Sequence, residues 1–516
     1  MVWLIAKKDF LLNLISARFI IGFILCLVII PFTLVVSVES YLNQDRIYKI
    51  EQKKEIENLE NTRVYSGLRP TVVHKPEPLS IFSSGISNNI GNKVKINLGE
   101  YPLFPEGHAS TRDNPLLNAF FSIDFSTVIA ILISLLALVF SFDAISRERE
   151  DGTMKLAFTG QISRISFLAG KIAGLLLTLL PILLFCYLLA CLIIVVNPEI
   201  SFSLKDWTGV ILLFATSIVY MLVFILLGIF ISSLTKNSSS AIILSLLSWI
   251  WFLFLMPSVA SYLAQSFVKT GLYENVQKAN DDYDQQFFKE KYQEKAFEFF
   301  KILNFSDINY NNYNGGDDGY EELSGGVREM ALFHQMLNGW SEPARIEYAD
   351  KKWVVQKDYL DQLFNQQQVR QSLACLSPSE LFTQTADALC QTDAYTFNKY
   401  MESIRDYRKE VVGYFVKNNL FNSFRYFTPQ REDQYPTDQE WKDIRAGKSD
   451  SKLVYDFQDW ESITPLDIAG FPEYVQPEFS LASAVHHALG RMAAMLGIVI
   501  VLLIGSIAVF MKYDIR

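Results

Sequence analysis

The stretch SFDAISREREDGTMKLAFTGQISRISFLAGK, residues 141–171, joins two long apolar runs and decides how the chain is organised. It holds five basic and four acidic residues, which are Arg147, Arg149, Lys155, Arg164 and Lys171, and Asp143, Glu148, Glu150 and Asp151. Short loops between membrane spans that are rich in lysine and arginine stay on the cytoplasmic side. We therefore predict a cytoplasmic loop at 143–164, where a membrane protein can meet a soluble partner.

Composition places the chain between soluble and membrane proteins. It has 516 residues, of which 50% are hydrophobic and 20% are charged. The apolar share predicts membrane spans, while the charged residues predict soluble segments as well. The net charge of −9 argues against nucleic acid as a partner, because binding to phosphates needs a basic surface.

Apolar runs on both sides of the loop predict six transmembrane helices, because about 20 apolar residues cross a bilayer as a helix. We predict them at 19–38, 119–142, 165–196, 207–234, 241–263 and 485–510. Apolar residues at helical spacing within 1–18 predict an amphipathic helix in the membrane interface. A cleaved signal peptide is the alternative for 19–38, but the run is long and no clear small-x-small site follows it. The even number of spans places both termini in the cytoplasm.

Two polar segments lie outside the membrane in this topology. Residues 39–118 carry a charged helical stretch and then proline- and glycine-rich sequence, which predicts a small mixed segment with turns and short strands. Residues 264–484 show helical periodicity in several stretches and predict a large, mainly helical domain. The predicted fold is therefore an all-α polytopic membrane protein with six transmembrane helices, an N-terminal interfacial helix and these two extracytoplasmic parts.

Two pairs of side chains on the extracytoplasmic side are further candidates. Asp124 and Arg491 fall near the outer ends of the second and sixth spans, where they could pair across the bundle as an outer gate. In the alternative, Arg491 extends to the lipid headgroups. Cys375 and Cys390 lie in the polar domain and are candidates for a disulfide, which their sequence spacing leaves undecided.

The sequence lacks the motifs of common catalytic sites. Gly170 and Lys171 do not belong to a Walker A motif, because the earlier glycine and the following Ser or Thr are missing. The HExxH, GxSxG and CxxC patterns are absent too. Oxygen ligands alternate in 307–318 as in a calcium loop, but the turn glycine and the closing Glu are missing. We predict no catalytic residues, no metal site, no cofactor bound by this chain and no hydrolysis of ATP by it.

The loop at 143–164 resembles the cytoplasmic loop of type 2 ABC-transporter permeases, the six-helix membrane subunits of exporters. The matching features are a Glu/Arg-rich stretch at 147–150, Gly152 and Thr153, a short helix at 154–158, Ser163 and Arg164, and Gly170 and Lys171. Gln161 stands where the family usually has proline. The chain is similar to a subgroup with long extracytoplasmic insertions, in which KPEPLSIFSSG and LSPSELFTQTADAL resemble recurring segments.

The resemblance implies a permease subunit of an ATP-driven exporter, and the two large outer segments indicate a bacterial inner membrane that faces a periplasm. Its partners would be two copies of a separate ABC ATPase, which holds ATP and Mg, a second permease that is identical or similar, and a periplasmic protein. The coupling residues that it implies are Arg147, Glu148, Arg149, Glu150, Gly152, Thr153, Met154, Leu156, Phe158 and Arg164. In this hypothesis the apolar members enter a groove on the ATPase, and the charged members fix its orientation through salt bridges.

Other interpretations stay open. In the second one, the outer domains are the working part, and the spans anchor them or relay motion to a periplasmic partner without transporting a cargo. A membrane enzyme with an outer catalytic domain is a third, although no catalytic set supports it. For the loop itself, the simpler interpretation is a solvated loop whose charges only set the topology. The sequence does not identify the cargo.

Overall fold

The computed structural model describes residues 1–86, 91–103, 124–154, 158, 162–271, 273–303, 312–315, 321–324, 327–448 and 464–512. Within them, six helices are long and apolar enough to cross a membrane: Ala17–Glu60, Phe125–Glu150, Arg164–Val196, Leu204–Leu234, Ser238–Phe267 and Leu481–Met511. We name them span 1 to span 6 in chain order. The prediction of an all-α polytopic membrane protein is confirmed. Leu156, residues 119–123 and residues 307–311 lie outside the described residues.

Span 2 lies at the centre of the bundle. Its uninterrupted helix is Phe125–Ser141, and 13 of these 17 residues are buried. Tyr220 of span 4 donates a hydrogen bond to the carbonyl oxygen of Ala130 at 3.0 Å. Trp249 of span 5 donates from its indole nitrogen to the hydroxyl of Ser134 at 2.9 Å. The ends of the spans next to residues 143–164 are called the loop end, and the opposite ends the distal end.

The N-terminal helix, Val2–Ile15, crosses span 3 at close range. Two glycines of span 3 permit this approach. A Cβ atom on Gly170 would lie 2.7 Å from the Cβ of Ile5, and one on Gly174 would lie 2.9 Å from the Cβ of Asp9. Both distances are far below the roughly 3.5–4.0 Å of a normal carbon contact. The two helices can therefore pack here only because these residues lack a side chain.

Span 1 is much longer than a membrane requires. Its 44 residues extend roughly 66 Å at about 1.5 Å per residue, which is about twice the thickness of the hydrocarbon core. The predicted span 19–38 and the charged stretch that follows it form one continuous helix. Beyond the bundle, a carboxylate oxygen of Glu55 accepts a hydrogen bond from the backbone N–H of Thr71 at 2.8 Å. This bond ties the extension of span 1 to the polar segment that follows.

The two polar segments share one hydrophobic core, although the sequence predicted them as separate parts. Leu68 and Ile96 of the first segment pack with Ile404 and Phe415 of the second. We call the described residues of 61–103 and 268–480 the large domain, but we leave out the helix Pro378–Cys390, which packs elsewhere. Its helices are Tyr273–Gln286, Gln293–Leu303, Arg328–Ala374, Ala394–Lys417 and Asp438–Arg445, and Phe287–Tyr292 is π-helical. Its strands β1 (Thr71–Val73) and β2 (Lys93–Lys95) pair antiparallel, as do β3 (Asn312–Gly315) and β4 (Glu321–Ser324).

The helix Pro378–Cys390 leaves the large domain and packs into the distal end of the bundle, and we call it the plug helix. It contacts spans 2, 4, 5 and 6. The ring of Phe382 stacks on Tyr220 of span 4 with centroids 4.6 Å apart. The hydroxyls of Ser377 and Ser379 donate to the carbonyl oxygen of Phe252 in span 5, at 2.5 and 2.8 Å. Helical periodicity predicted this helix, but not that it enters the bundle.

The candidate disulfide is not formed in the structure, in which Cys375 and Cys390 are both free cysteines. Cys375 directly follows the helix Arg328–Ala374, and Cys390 is the last residue of the plug helix. The plug helix has 13 residues and is roughly 20 Å long at about 1.5 Å per residue. A disulfide needs Cα atoms within about 7 Å of each other. The helix between the two cysteines therefore holds them too far apart.

We expect Gly174→Ala to loosen the N-terminal helix from span 3, because the added methyl group would overlap Asp9 and Ala6. Overpacking of this kind costs about 1–3 kcal/mol. Thermal unfolding of the purified protein measures the effect. The matched control is Gly497→Ala in span 6, where a Cβ would meet no atom within 4 Å. Equal unfolding temperatures for the two variants would contradict the close crossing.

Candidate functional site

The predicted coupling residues lie at the loop end. The uninterrupted helix of span 2 ends at Ser141, and the last part of the span is the five-residue helix Ser146–Glu150, which we call the coupling helix. The hydroxyl oxygen of Ser232 in span 4 accepts hydrogen bonds from the backbone N–H groups of Ile145 and Ser146, both at 3.0 Å. Ser232 is fully buried, so these bonds are shielded from water. They hold the start of the coupling helix against span 4.

Lys171 of span 3 is the centre of a buried charge cluster. Its Nζ lies 2.7 Å from Oε1 of Glu148 and 3.1 Å from Oδ2 of Asp9, and its side chain is 7% exposed. The other carboxylate oxygen of Glu148 accepts a hydrogen bond from the hydroxyl of Thr153 at 2.5 Å. Burial raises the pKa of Asp9, although Lys171 acts in the opposite direction. The cluster joins the coupling helix, the N-terminal helix and span 3.

The next two residues of the coupling helix bind spans 4 and 5. The guanidinium of Arg149 donates to the carbonyl oxygens of Thr235 at 2.8 Å and of Ser233 at 3.3 Å. These carbonyls belong to the C-terminal end of span 4, where the last backbone acceptors lack helical partners. The carboxylate of Glu150 accepts from the backbone N–H of Ser238 at 3.0 Å and from its hydroxyl at 2.6 Å. An acidic group at the N-terminus of span 5 is also favoured by the helix dipole.

Two further contacts reach the first and last spans. Arg18, at the start of span 1, forms an ion pair with Asp143 at 2.9 Å. Arg164, at the start of span 3, donates to the carbonyl oxygen of Met511 at the end of span 6, at 2.5 Å. The loop between spans 2 and 3 therefore binds spans 1, 4, 5 and 6 in addition to the two spans that it connects.

The structure differs from the predicted orientation of the coupling residues. Met154 is 2% exposed and packs in the bundle core, and Phe158 lies against Phe167 and Phe510 with centroids 5.5 and 6.2 Å apart. These apolar side chains face inward, because they cover the ends of spans 3 and 6. Gly152 has a φ of +69°, a conformation that residues with a side chain rarely adopt.

Within the described part of the loop, the charged residues Arg147, Glu150 and Asp151 are exposed. The side chains of Arg147 and Asp151 are 66% and 59% exposed and form an ion pair at 3.7 Å. The charged groups of Glu148, Arg149 and Glu150 are instead engaged with the chain's own spans. One signal for this arrangement is visible in the sequence: Lys171 lies inside an apolar run, and a charge in such a place needs a nearby partner.

The predicted outer gate is not formed. Asp124 caps the N-terminus of span 2, because its Oδ1 accepts from the backbone N–H of Thr127 at 2.8 Å. Its Oδ2 accepts from the backbone N–H of Ser84 at 2.8 Å. Arg491 donates to the carbonyl oxygen of Gln384 in the plug helix at 3.2 Å. Both residues therefore stabilise the distal end, but through different partners rather than through each other.

A buried carboxyl group lies next to this cap. Asp387 of the plug helix accepts a hydrogen bond from the hydroxyl of Ser83 at 2.7 Å, and Thr392 donates to the carbonyl oxygen of Ser83 at 3.0 Å. Burial raises the pKa of Asp387 to about 8, and the charge of Asp124 acts in the same direction. The two segments that resemble recurring family stretches, 75–85 and 376–389, therefore meet at this carboxyl group.

We expect Lys171→Met to destabilise the protein strongly, because it leaves the carboxylates of Asp9 and Glu148 buried without a cation. Breaking a buried ion pair in this way costs about 3–5 kcal/mol. Arg147→Met is the matched control, since an exposed ion pair contributes about 1 kcal/mol or less. The unfolding temperature of each purified variant measures the difference. The double variant Lys171→Met/Glu148→Gln should recover part of the loss, and a Lys171→Met protein as stable as the control would contradict the cluster's role.

We expect the stability of wild type to fall as the pH rises, because folded Asp387 keeps its proton. The Asp387→Asn variant should not show this fall. The folded protein holds this proton with a pKa of about 8, while an unfolded chain releases it near 4. Stability therefore falls by up to about 1.4 kcal/mol per pH unit from roughly pH 4 to pH 8. Unfolding temperatures at pH 5, 6, 7 and 8 measure this, with the exposed Asp361→Asn as control. The same pH dependence in Asp387→Asn as in wild type would refute the assignment.

Comparison with known proteins agrees with this geometry. The model of a family described as ABC-2 family transporter protein matches residues 3–515. A comparison with curated proteins gives no significant match. Within the described residues, no group of three or more His, Cys, Asp or Glu side chains could hold a metal ion. Six apolar helices and a match over almost the whole length lead to one conclusion: the chain belongs to the ABC-2 family of transporter proteins and is a multi-pass membrane subunit of an ABC transporter.

Proposed function

We propose that this chain is the permease subunit of an ATP-driven ABC exporter, in which a separate ATPase drives a substrate across the membrane. The complex has two copies of the ATPase, which hold ATP and Mg²⁺, and a second permease that is identical or similar. The observation that carries the proposal is the loop between spans 2 and 3, whose side chains reach every other span. A displacement of this loop would move the whole bundle as a rigid body rather than one helix.

In this proposal the ATPase docks on the exposed side of the loop. Arg147 and Asp151 offer one positive and one negative group there, which can orient a charged partner surface. The inward contacts of Glu148, Arg149 and Glu150 then pass the displacement to spans 3, 4 and 5. Separating the buried Lys171 from its carboxylates would be costly, so this contact acts as a stiff link.

The surface of span 5 supports pairing with a second permease. In this span Ala241, Ser245, Ala260 and Ala264 are buried, whereas large side chains such as Leu247 are 59% exposed. Span 2, by contrast, is covered by the chain's own helices. A second permease on span 5 would reach the central span 2 through Trp249, whose indole already binds Ser134.

We place the loop end in the cytoplasm and the large domain in the periplasm of a bacterium. Basic residues at the loop end support this orientation, since lysine and arginine are retained on the cytoplasmic side. They are Lys7, Lys8, Arg18, Arg147, Arg149, Arg164, Lys236 and Lys512. The protein then lies in the inner membrane with both termini in the cytoplasm, and the large domain can meet a periplasmic partner.

One observation favours a second function, in which the large domain is the working part and no cargo crosses the membrane. The plug helix is continuous in sequence with the large domain but packs in the same core as spans 2, 3 and 4. Movement of the bundle would therefore reach the large domain directly. Accumulation of a cargo in vesicles that contain the complex would separate the two functions, because only the exporter predicts it.

The test of the proposal is affinity purification of the tagged protein from gently solubilised native membranes, followed by mass spectrometry. We expect a P-loop ATPase to accompany wild type and to fall about tenfold in Arg147→Glu, since that residue is exposed and its reversal leaves the inward contacts in place. The control is Lys53→Glu, a reversal of an 80% exposed lysine at the distal end. The proposal fails if no ATPase accompanies wild type, and the docking surface is wrong if both variants retain it equally.

A further inference from the structure

Span 5 changes its helical geometry near its middle. Residues Trp251–Leu255 are π-helical, whereas the helix is α-helical on both sides of them. The backbone N–H of Met256 donates to the carbonyl oxygen of Trp251, five residues earlier, as in a π-helix. In an α-helix the same N–H would donate to the carbonyl oxygen of Phe252. The carbonyl of Phe252 therefore loses its usual partner within the helix.

Pro257 removes the other possible helical donor to this carbonyl. The next bond of a π-helix would run from residue 257 to Phe252, but proline has no backbone N–H. Side chains at the start of the plug helix take its place, since the hydroxyls of Ser377 and Ser379 donate to the carbonyl oxygen of Phe252 at 2.5 and 2.8 Å. Both serines are buried, so these bonds are shielded from water. The plug helix thus supplies the bonds that span 5 cannot make for itself.

The two halves of span 5 are held by different parts of the molecule. The half Ser238–Ile250 is bound to the bundle through Glu150, which accepts from its first backbone N–H, and through Trp249, whose indole donates to span 2. The half Met256–Phe267 packs along the helix Arg328–Ala374 of the large domain. We call them the loop half and the distal half. The π-helical turn between them therefore lies at the boundary between the bundle and the large domain.

The chain passes from the large domain to the bundle a second time beside this turn. Residues 375–377 separate the helix Arg328–Ala374 from the plug helix. Arg370 and Glu380 form an ion pair across this connection at 3.0 Å. Ser377 lies within it and also caps the plug helix, because its hydroxyl oxygen accepts from the backbone N–H of Glu380 at 3.4 Å. The serine bonds to span 5 therefore join two places at which the large domain meets the bundle.

We propose that span 5 bends at Trp251–Pro257 and that Ser377 and Ser379 are positioning residues that fix the angle between its two halves. A π-helical turn and a proline are both common sites of helix bending, because each interrupts the ladder of backbone hydrogen bonds. Without the two hydroxyls, the distal half is free to move with the helix that it packs along, while the loop half stays on the bundle. The hinge does not depend on the cargo or the ATPase, so its failure would leave the export function untouched.

The test measures distances between spin labels in the full-length protein in lipid nanodiscs, with the native cysteines replaced by alanine. The distal distance joins labels at Leu188→Cys in span 3 and Phe267→Cys in the distal half, and the loop distance joins Leu188→Cys to Ile243→Cys in the loop half. All three residues are exposed. A bend of about 20° at Pro257 moves Phe267 by roughly 5 Å, because ten residues of helix separate the two.

The variant Ser377→Gly/Ser379→Ala removes both hydroxyls, and glycine keeps most of the capping preference at 377. We expect its distal distance to broaden by several ångströms, while its loop distance stays as in wild type. Ser379→Ala alone leaves the cap intact and should broaden the distal distance less. The matched control is Ser480→Gly, which removes the capping hydroxyl of span 6 and should change neither distance.

A proline replacement separates positioning of span 5 from capping of the plug helix. Pro257→Ala restores a backbone N–H that can donate to Phe252, so the serine hydroxyls are no longer needed. In this background Ser377→Gly/Ser379→Ala should not broaden the distal distance further, whereas a role limited to capping would have the same effect in both backgrounds. A serine variant that folds only together with Pro257→Ala would support the proposal in the same way.

Three results would overturn the proposal. The first is a wild-type distal distance in Ser377→Gly/Ser379→Ala. The second is a loop distance that broadens as much as the distal one, since the two halves would then move together. The third is a serine effect, whether on the distances or on folding, that is equally large with proline and with alanine at position 257.

Discussion

The burial of one ammonium group, that of Lys171, is the constraint on which the loop end depends. Burying an ammonium group without a partner costs several kcal/mol of folding free energy. The carboxylates of Asp9 and Glu148, on two different helices, are the partners of Lys171. Satisfying a single charge therefore fixes both the N-terminal helix and the coupling helix on span 3. Gly170 contributes at the neighbouring position, since its missing side chain lets the N-terminal helix come close enough for Asp9 to reach Lys171. Gly170 thus lets the N-terminal helix come close to span 3, and Lys171 holds it there through the ion pair with Asp9.

The two ends of the bundle are held by different physical means. At the loop end, charged groups from one short loop bind to several spans at once. At the distal end, neutral hydrogen bonds among Ser83, Asp387 and Thr392 surround a carboxyl group that keeps its proton up to about pH 8. Ion pairs in a buried site resist separation, whereas neutral hydrogen bonds can be exchanged for others at less cost. At the distal end this applies to the contacts of Asp387, while the side chains of Asp124 and Arg491 bind backbone groups beside it.

Much of the fold follows from the sequence, because the length of an apolar run alone decides whether a helix can cross a bilayer. The sequence also predicted that the charged loop lies between spans 2 and 3, but not the direction in which its side chains face. A five-residue helix such as Ser146–Glu150 is too short for periodicity to distinguish its inner side from its outer side. The position of the plug helix inside the bundle escaped prediction for another reason: Leu381 and Phe382 would suit the core of a soluble domain as well as that of a membrane bundle. The separation of Cys375 and Cys390 depends on the helix between them, which the spacing alone does not reveal.

The length of span 1 gives the protein a mechanical property of its own. One end of this helix is attached at Arg18 to Asp143, beside the coupling helix, and its far part carries Glu55, which binds strand β1. Pro31 lies in this helix between these points and removes one of its backbone hydrogen bonds, so the far part of the helix can tilt about it as a lever whose pivot lies in the membrane. A tilt of about 10° moves a point some 33 Å beyond the pivot by roughly 6 Å. Small movements in the membrane are thus enlarged into displacements of several ångströms in the large domain.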